Sequence, residues 1–163
     1  MKIRIAIICI AAISLFSAYG GFFQNKVPVF SFDAFEHWLH KETESVYVIN
    51  FWATWCAPCV KEIPAFEALN EHYAGEKLKV LMVSLDFPNH LESRLLPFIA
   101  EKEMKSQVVM LDEPNANRWI PLVSEEWSGA IPATLIYGRG FRRFYEGELT
   151  YEELEDAIKP LIY

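Results

Sequence analysis

The chain reads as an α/β domain, a central mixed β-sheet flanked by helices on both faces. Three observations carry that reading. Two short apolar runs, Val46–Phe51 and Leu78–Leu85, have the composition of buried strands. Between them Val60, Ile63, Phe66, Leu69 and Tyr73 recur at helical spacing, so the unit reads as a right-handed strand–helix–strand crossover with parallel strands. Near the C-terminus, Thr134–Tyr137 and Phe141–Tyr145 flank Gly138-Arg-Gly140, the signal of an antiparallel hairpin, and a helical pattern follows.

The elements follow in order. Val27–Phe30 is a short strand, and Pro28 assigns it to a sheet edge. Asp33 is placed to cap a helix from Ala34 to about His40, with Phe35, Trp38 and Leu39 on one face. Lys41–Ser45 is a polar turn before the central strand, Val46–Phe51. The helix after that strand runs to about Tyr73, and Gly75 ends it. After the strand Leu78–Leu85, a helix spans Leu91 to about Lys102, bent or broken by Pro97. Gln107–Leu111 is a short strand. The stretch Asp112–Ser128 is the least regular, and a short helix near Ala116–Ile120 is expected within it. Thr150 and Glu153 form a capping box for a last helix, whose buried stripe is Tyr151, Leu154, Ile158 and Leu161.

A length of 163 residues is enough for one domain with a full core. A composition 52% hydrophobic and 15% aromatic excludes a disordered chain. The net charge of -7 and the lack of any Lys/Arg run exclude a nucleic-acid partner. At the N-terminus, Lys2 and Arg4 precede an apolar run, Ile5–Phe16, and then small residues Ser17, Ala18, Gly20 and Gly21. This is the layout of a secretory signal peptide, with cleavage after Gly20. The competing reading is an uncleaved membrane anchor that extends through Phe23. Either way the rest of the chain is exported. The domain plan is therefore a leader over 1–20, a tether over 21–26 and one domain over 27–163. Cys9 lies within the apolar run, and the preceding Ala-Ile-Ile is unlike a lipoprotein box.

Removing the leader leaves two cysteines, Cys56 and Cys59. A disulfide framework needs more pairs. A structural zinc site needs four ligands, and His37, His40, His72 and His90 are not near the pair in sequence. No metal and no cofactor is expected. A single stabilising disulfide is the plain alternative, but so short a loop constrains the unfolded chain little. The position of the pair favours redox chemistry. It sits where a buried strand turns into a helix, with Pro58 just inside the helix start. Unpaired N–H groups and the positive end of the helix dipole stabilise a thiolate there and lower its pKa. Cys56 is then the more exposed nucleophile. Cys59, one turn on and partly buried, is the resolving thiol.

Phe51-Trp-Ala-Thr-Trp-Cys-Ala-Pro-Cys59 resembles the active site of the thioredoxin superfamily, most closely periplasmic thiol–disulfide oxidoreductases of the TlpA/ResA/DsbE type. Pro64 matches the family's helix kink. Ile131-Pro132-Ala-Thr134 resembles its cis-proline loop, and Gly147-Glu-Leu-Thr150 with Tyr151–Leu154 its final turn and helix. The resemblance implies a thioredoxin fold from about Val27 onward, with Cys56 and Cys59 as catalytic residues. It implies substrate contacts at Trp55, Ala57, Pro58, Ile131 and Pro132, with Pro132 packed on the disulfide and the Ile131 backbone pairing with an extended substrate. Trp52 is expected in the core and Trp55 on the surface beside the pair.

Two departures separate the chain from thioredoxin itself. Thioredoxins carry a buried aspartate six residues before the first cysteine, where this chain has Asn50. The lysine partner of that aspartate aligns with Met82. Asn50 occurs at this place in the TlpA/ResA-like branch. Glu62 resembles a glutamate of that branch and is a candidate for proton transfer, with an exposed helix carboxylate as the plainer reading. Glu125 and Glu126 are equally open. The longer N-terminal β-hairpin of the branch is not visible here.

These features imply a monomeric reductant of disulfides in envelope proteins, apocytochrome c among the candidates, fed by a membrane electron donor. Pro58 supports the reducing direction, since oxidases of the DsbA type carry a histidine at that place. An oxidase or isomerase on the same scaffold is the alternative. A non-catalytic binding module would lack a cysteine. In a peroxiredoxin or a Sco-type copper chaperone the cysteine spacing would differ.

Overall fold

In the computed structural model, residues 26–162 are described. The leader, most of the tether and Tyr163 lie outside them. The strands are β1 (Val29–Phe30), β2 (Val46–Trp52), β3 (Leu78–Ser84), β4 (Gln107–Leu111), β5 (Ala133–Gly138) and β6 (Phe141–Glu146). The helices are α1 (Phe32–Phe35), α2 (Ala57–His72), α3 (Leu96–Glu101), α4 (Ala116–Val123) and α5 (Tyr151–Ile162). One sheet has the order β1-β4-β3-β2-β5-β6. β1, β4, β3 and β2 pair in parallel, and β5 and β6 add antiparallel. This is the mixed sheet expected from the crossover and the hairpin.

Strand alternation sorts the core into two layers. Val46, Val48 and Trp52 of β2 join Cys59, Ile63, Phe66 and Leu69 of α2, Ile99 of α3, and Leu154 and Ile158 of α5. Tyr47, Ile49 and Phe51 face the other way, onto Phe32 and Phe35 of α1 and Trp119 and Val123 of α4. The site lies at the end of β2, so both layers hold it in place. β2 is buried along its whole length, as a strand covered on both faces must be.

Several elements differ from their sequence reading. The first helix starts at Phe32 after Ser31, not after Asp33, and tightens into a 3-10 turn over Glu36–Leu39. Burial of Phe32 and Phe35 against Trp119 and Phe51 sets that start. The expected helix over Leu91–Lys102 is composite: a 3-10 turn, a wide π turn over Leu91–Leu95, then α3. Pro97 has no N–H to donate one turn back, and the preceding turn widens, with the Leu96 N–H bonded to the Leu91 carbonyl. In the irregular stretch, α4 runs further than expected, to Val123, with Pro121 inside it. The capping box of α5 is present: the Thr150 N–H donates to Glu153 Oε2 (2.8 Å) and the Glu153 N–H to Thr150 Oγ1 (3.3 Å).

Candidate active site

Cys56 is the N-cap of α2, and Pro58 lies in its first turn. Cys56 and Cys59 are joined in a disulfide. The Cys59 N–H donates to Cys56 Sγ at 3.3 Å. A free N–H of the first helical turn thus points at the sulfur on which a thiolate would form. Cys59 is fully buried, more than the partial burial expected, while Cys56 keeps 6% of its surface exposed. The order of accessibility matches the assignment of attacking and resolving sulfurs.

The loop opposite comes from the start of β5. The Ile131–Pro132 peptide bond is cis. Cys56 Sγ lies 3.6 Å from the Ile131 carbonyl oxygen. Pro132 is buried and Ile131 half-buried, while Ala57 and Pro58 are exposed beside the disulfide. Trp55 is 54% exposed at the rim, whereas Trp52 is in the core against Phe98. The residues expected from distant parts of the sequence therefore meet around one sulfur pair.

Strand parity turns Asn50 toward α2, away from the layer of Phe51. In the ladder Asn50 lies opposite Met82 on β3, as the alignment suggested, and opposite Thr134 on β5. Its amide donates to Glu62 Oε1 (2.7 Å) and Thr134 Oγ1 (3.1 Å). The Leu149 N–H donates to Glu62 Oε2 (2.9 Å). Glu62 is accordingly not the exposed helix carboxylate of the plainer reading: it is 2% exposed. Burial pushes its pKa up to about 7, against the opposing pull of the Leu149 and Asn50 hydrogen bonds.

Asn50 Oδ1 is buried with no donor among the described residues. Turned by half a revolution, the Asn50 amide would present that oxygen to a protonated Glu62 and to the Thr134 hydroxyl. The trio can therefore serve either charge state of Glu62. Glu62 follows Cys59 by three residues and shares its face of α2.

The sequence reading did not single out Thr134 as a polar partner or the Leu149 N–H. It also passed over Asp86, a buried carboxylate at the end of β3, and Phe87, 63% exposed beside it. Only the acidic residue closing an apolar strand hinted at Asp86. The paired histidines of the first helix bring no cluster: His37 is exposed and hydrogen-bonded to the Ala34 carbonyl (2.7 Å). No group of three or more His, Cys, Asp or Glu is placed for a metal among the described residues.

A family model described as the AhpC/TSA family matches residues 24–140. Over 176 aligned positions the chain is 23% identical to a thiol-disulfide oxidoreductase ResA of Geobacillus kaustophilus, covering 98% of this chain and 95% of that protein. It is 28% identical over 113 residues to the thioredoxin-like protein YneN of Bacillus subtilis, covering 68% of this chain and 62% of YneN. A thioredoxin-related protein from Neisseria meningitidis serogroup B superposes with a TM-score of 0.62 at 23% identity, covering 75% of this chain and 87% of that one. A secreted thiol-disulfide isomerase from Corynebacterium glutamicum does so at 0.61 and 21%, covering 73% and 71%. The fold is a thioredoxin fold.

Proposed function

The chain belongs to the AhpC/TSA family, and from that premise we propose that this thiol–disulfide oxidoreductase is exported and reduces disulfides of envelope proteins. The observation that supports it most is Cys56, bonded to Cys59 at the start of α2, with its sulfur beside the Ile131 carbonyl. The Cys56 thiolate attacks a substrate disulfide. One substrate sulfur leaves as a thiolate and takes up a proton, and a mixed disulfide forms. Cys59 then gives up its proton and attacks Cys56 Sγ, which releases the second substrate sulfur. The substrate gains two electrons and two protons, and the enzyme is left with the disulfide. Glu62, with its pKa raised to about 7, is suited to take the Cys59 proton and return it, the task for which Asn50 has no titrating group.

An extended substrate strand lies along the Ile131 backbone, over Pro132 and between Trp55 and the exposed Ala57 and Pro58. Apocytochrome c is one such substrate, and a membrane dithiol donor restores the reduced pair. The enzyme acts as a monomer outside the cytoplasm, as a domain over 27–163 behind the leader. No helix among the described residues is long and apolar enough to cross a membrane.

The test is insulin-disulfide reduction together with the reduction potential of the pair. Cys56→Ser abolishes reduction, and retained activity overturns the nucleophile. Cys59→Ser accumulates mixed disulfides on non-reducing gels. A potential near about -270 mV supports the reducing direction, whereas one near about -120 mV makes the protein a donor of disulfides.

A further inference from the structure

Asp86 is 1% exposed, and the thiol–disulfide exchange described above does not use it. Its hydrogen bonds to Thr54 join the end of β3 to the turn after β2, and those to Ser84 hold its own side chain in place. Asp86 Oδ2 accepts the Thr54 N–H (3.0 Å) and Oδ1 accepts the Thr54 hydroxyl (2.6 Å). Oδ2 also accepts the Ser84 hydroxyl at 2.9 Å, and the Asp86 N–H donates to Ser84 Oγ at 3.1 Å. No Lys, Arg or His among the described residues is within ion-pair distance of it. A buried acceptor served wholly by neutral donors at the edge of a redox pair calls for a reason.

The placement supplies one. β2 and β3 pair up to Trp52 and Ser84, and the Leu85 N–H donates to the Trp52 carbonyl (2.8 Å). Beyond that point β2 has no ladder partner on this side, and the chain turns, with the Cys56 N–H bonded back to the Ala53 carbonyl (3.1 Å). Thr54 sits in the middle of that turn. The Asp86 carboxylate takes over where the ladder stops and holds Thr54 by both backbone and side chain. We propose that Asp86 is a positioning residue for the attacking thiol: its clasp on Thr54 fixes the turn that delivers Cys56 to the N-cap of α2, in line with the Cys59 N–H. The inference rests on Cys56 as the attacking thiol.

The test reads the reactivity of Cys56 in the reduced full-length protein, by the pH profile of its alkylation with iodoacetamide and the site of labelling. Asp86→Ala frees the turn, weakens the contact from the Cys59 N–H to the thiolate and moves the profile up. A shift of about one pH unit leaves roughly tenfold less thiolate near neutral pH. Asp86→Asn keeps the clasp: its oxygen can accept the Thr54 N–H and Ser84 hydroxyl, and its amide can donate to Thr54 Oγ1. In that variant the profile stays at or below the wild-type midpoint. Thr54→Val removes only the hydroxyl bond and gives a smaller upward shift, which keeps the test alive if Asp86→Ala does not fold. Labelling at Cys56 with a wild-type profile in Asp86→Ala, or in Thr54→Val where the alanine variant is unfolded, overturns this proposal alone. So does an Asp86→Asn profile displaced upward as far as that of Asp86→Ala. Labelling at Cys59 in the wild type overturns the assignment of the nucleophile and this proposal with it.

Discussion

Glu62 owes its chemistry to where its side chain ends. On an exposed helix face it would titrate as an ordinary carboxylate. Between Asn50, Thr134 and the Leu149 N–H it is desolvated, and its pKa rises from 4.5 to about 7. The sign of the pH dependence follows. Between those two values the folded protein holds a proton that the unfolded chain has lost, so stability falls as pH rises through this window. The full shift corresponds to about 3 kcal/mol at most. Glu62→Gln removes the titration and should flatten that part of the stability curve. Urea unfolding at pH 4.5 and pH 8 checks it: the wild type loses stability between them and the variant does not. On the proposed mechanism, in which Glu62 takes the Cys59 proton, the same variant should slow release of product from the mixed disulfide.

At the scale of elements, the start of α5 carries more than its own helix. The capping box at Thr150 and Glu153 satisfies two N–H groups that the first turn of the helix leaves without an intrahelical partner. The adjacent Leu149 N–H is a ligand of Glu62. Thr150→Ala should cost about 1 kcal/mol, read as a lower urea midpoint with an unchanged slope. α2 is tied at its far half as well, since the Glu67 carboxylate accepts the Lys105 N–H (2.8 Å) and the Ser106 N–H (3.2 Å) ahead of β4. The helix that carries the cysteines is thus held to the sheet along its length, although Pro64 lies within it.

For the whole molecule, the layer remote from the disulfide is an aromatic assembly. Phe51 meets Phe35 (6.1 Å), Trp119 (6.0 Å) and Trp127 (4.8 Å) between ring centroids. Trp119 and Trp127 also pack edge to face, and Trp127 reaches Phe144 of β6. The indole N–H of Trp127 donates to the Ala130 carbonyl at 2.7 Å, just ahead of the Ile131–Pro132 loop. The cluster therefore joins α1, α4 and the Ile131–Pro132 loop to the central strand. Phe51→Ala should cost about 3–5 kcal/mol through the cavity it leaves, measured by denaturant unfolding of the oxidised protein.

Local chemistry was enough to determine the crossover, the hairpin, the capping box and the two cysteines at a strand-to-helix junction. Each rests on near neighbours in the chain: a period, a turn residue, a spacing of three. The placement of Asn50 opposite Met82 was legible only through the resemblance, which set these two positions against the aspartate and lysine of thioredoxins. The stretch from Asp112 to Ser128 was not, since Trp119 and Trp127 have their reason in Phe51, more than sixty positions away, and no local period records that. Nor were the burial of Glu62 and the Asp86 clasp. Whether a carboxylate faces water or an amide depends on which strand lies across from it, and only the assembled sheet brings β5 beside β2 and ends β3 beside Thr54. The sequence determined which groups can do the chemistry; the tertiary structure decided which of them are buried, and for Glu62 that burial is what raises its proton affinity.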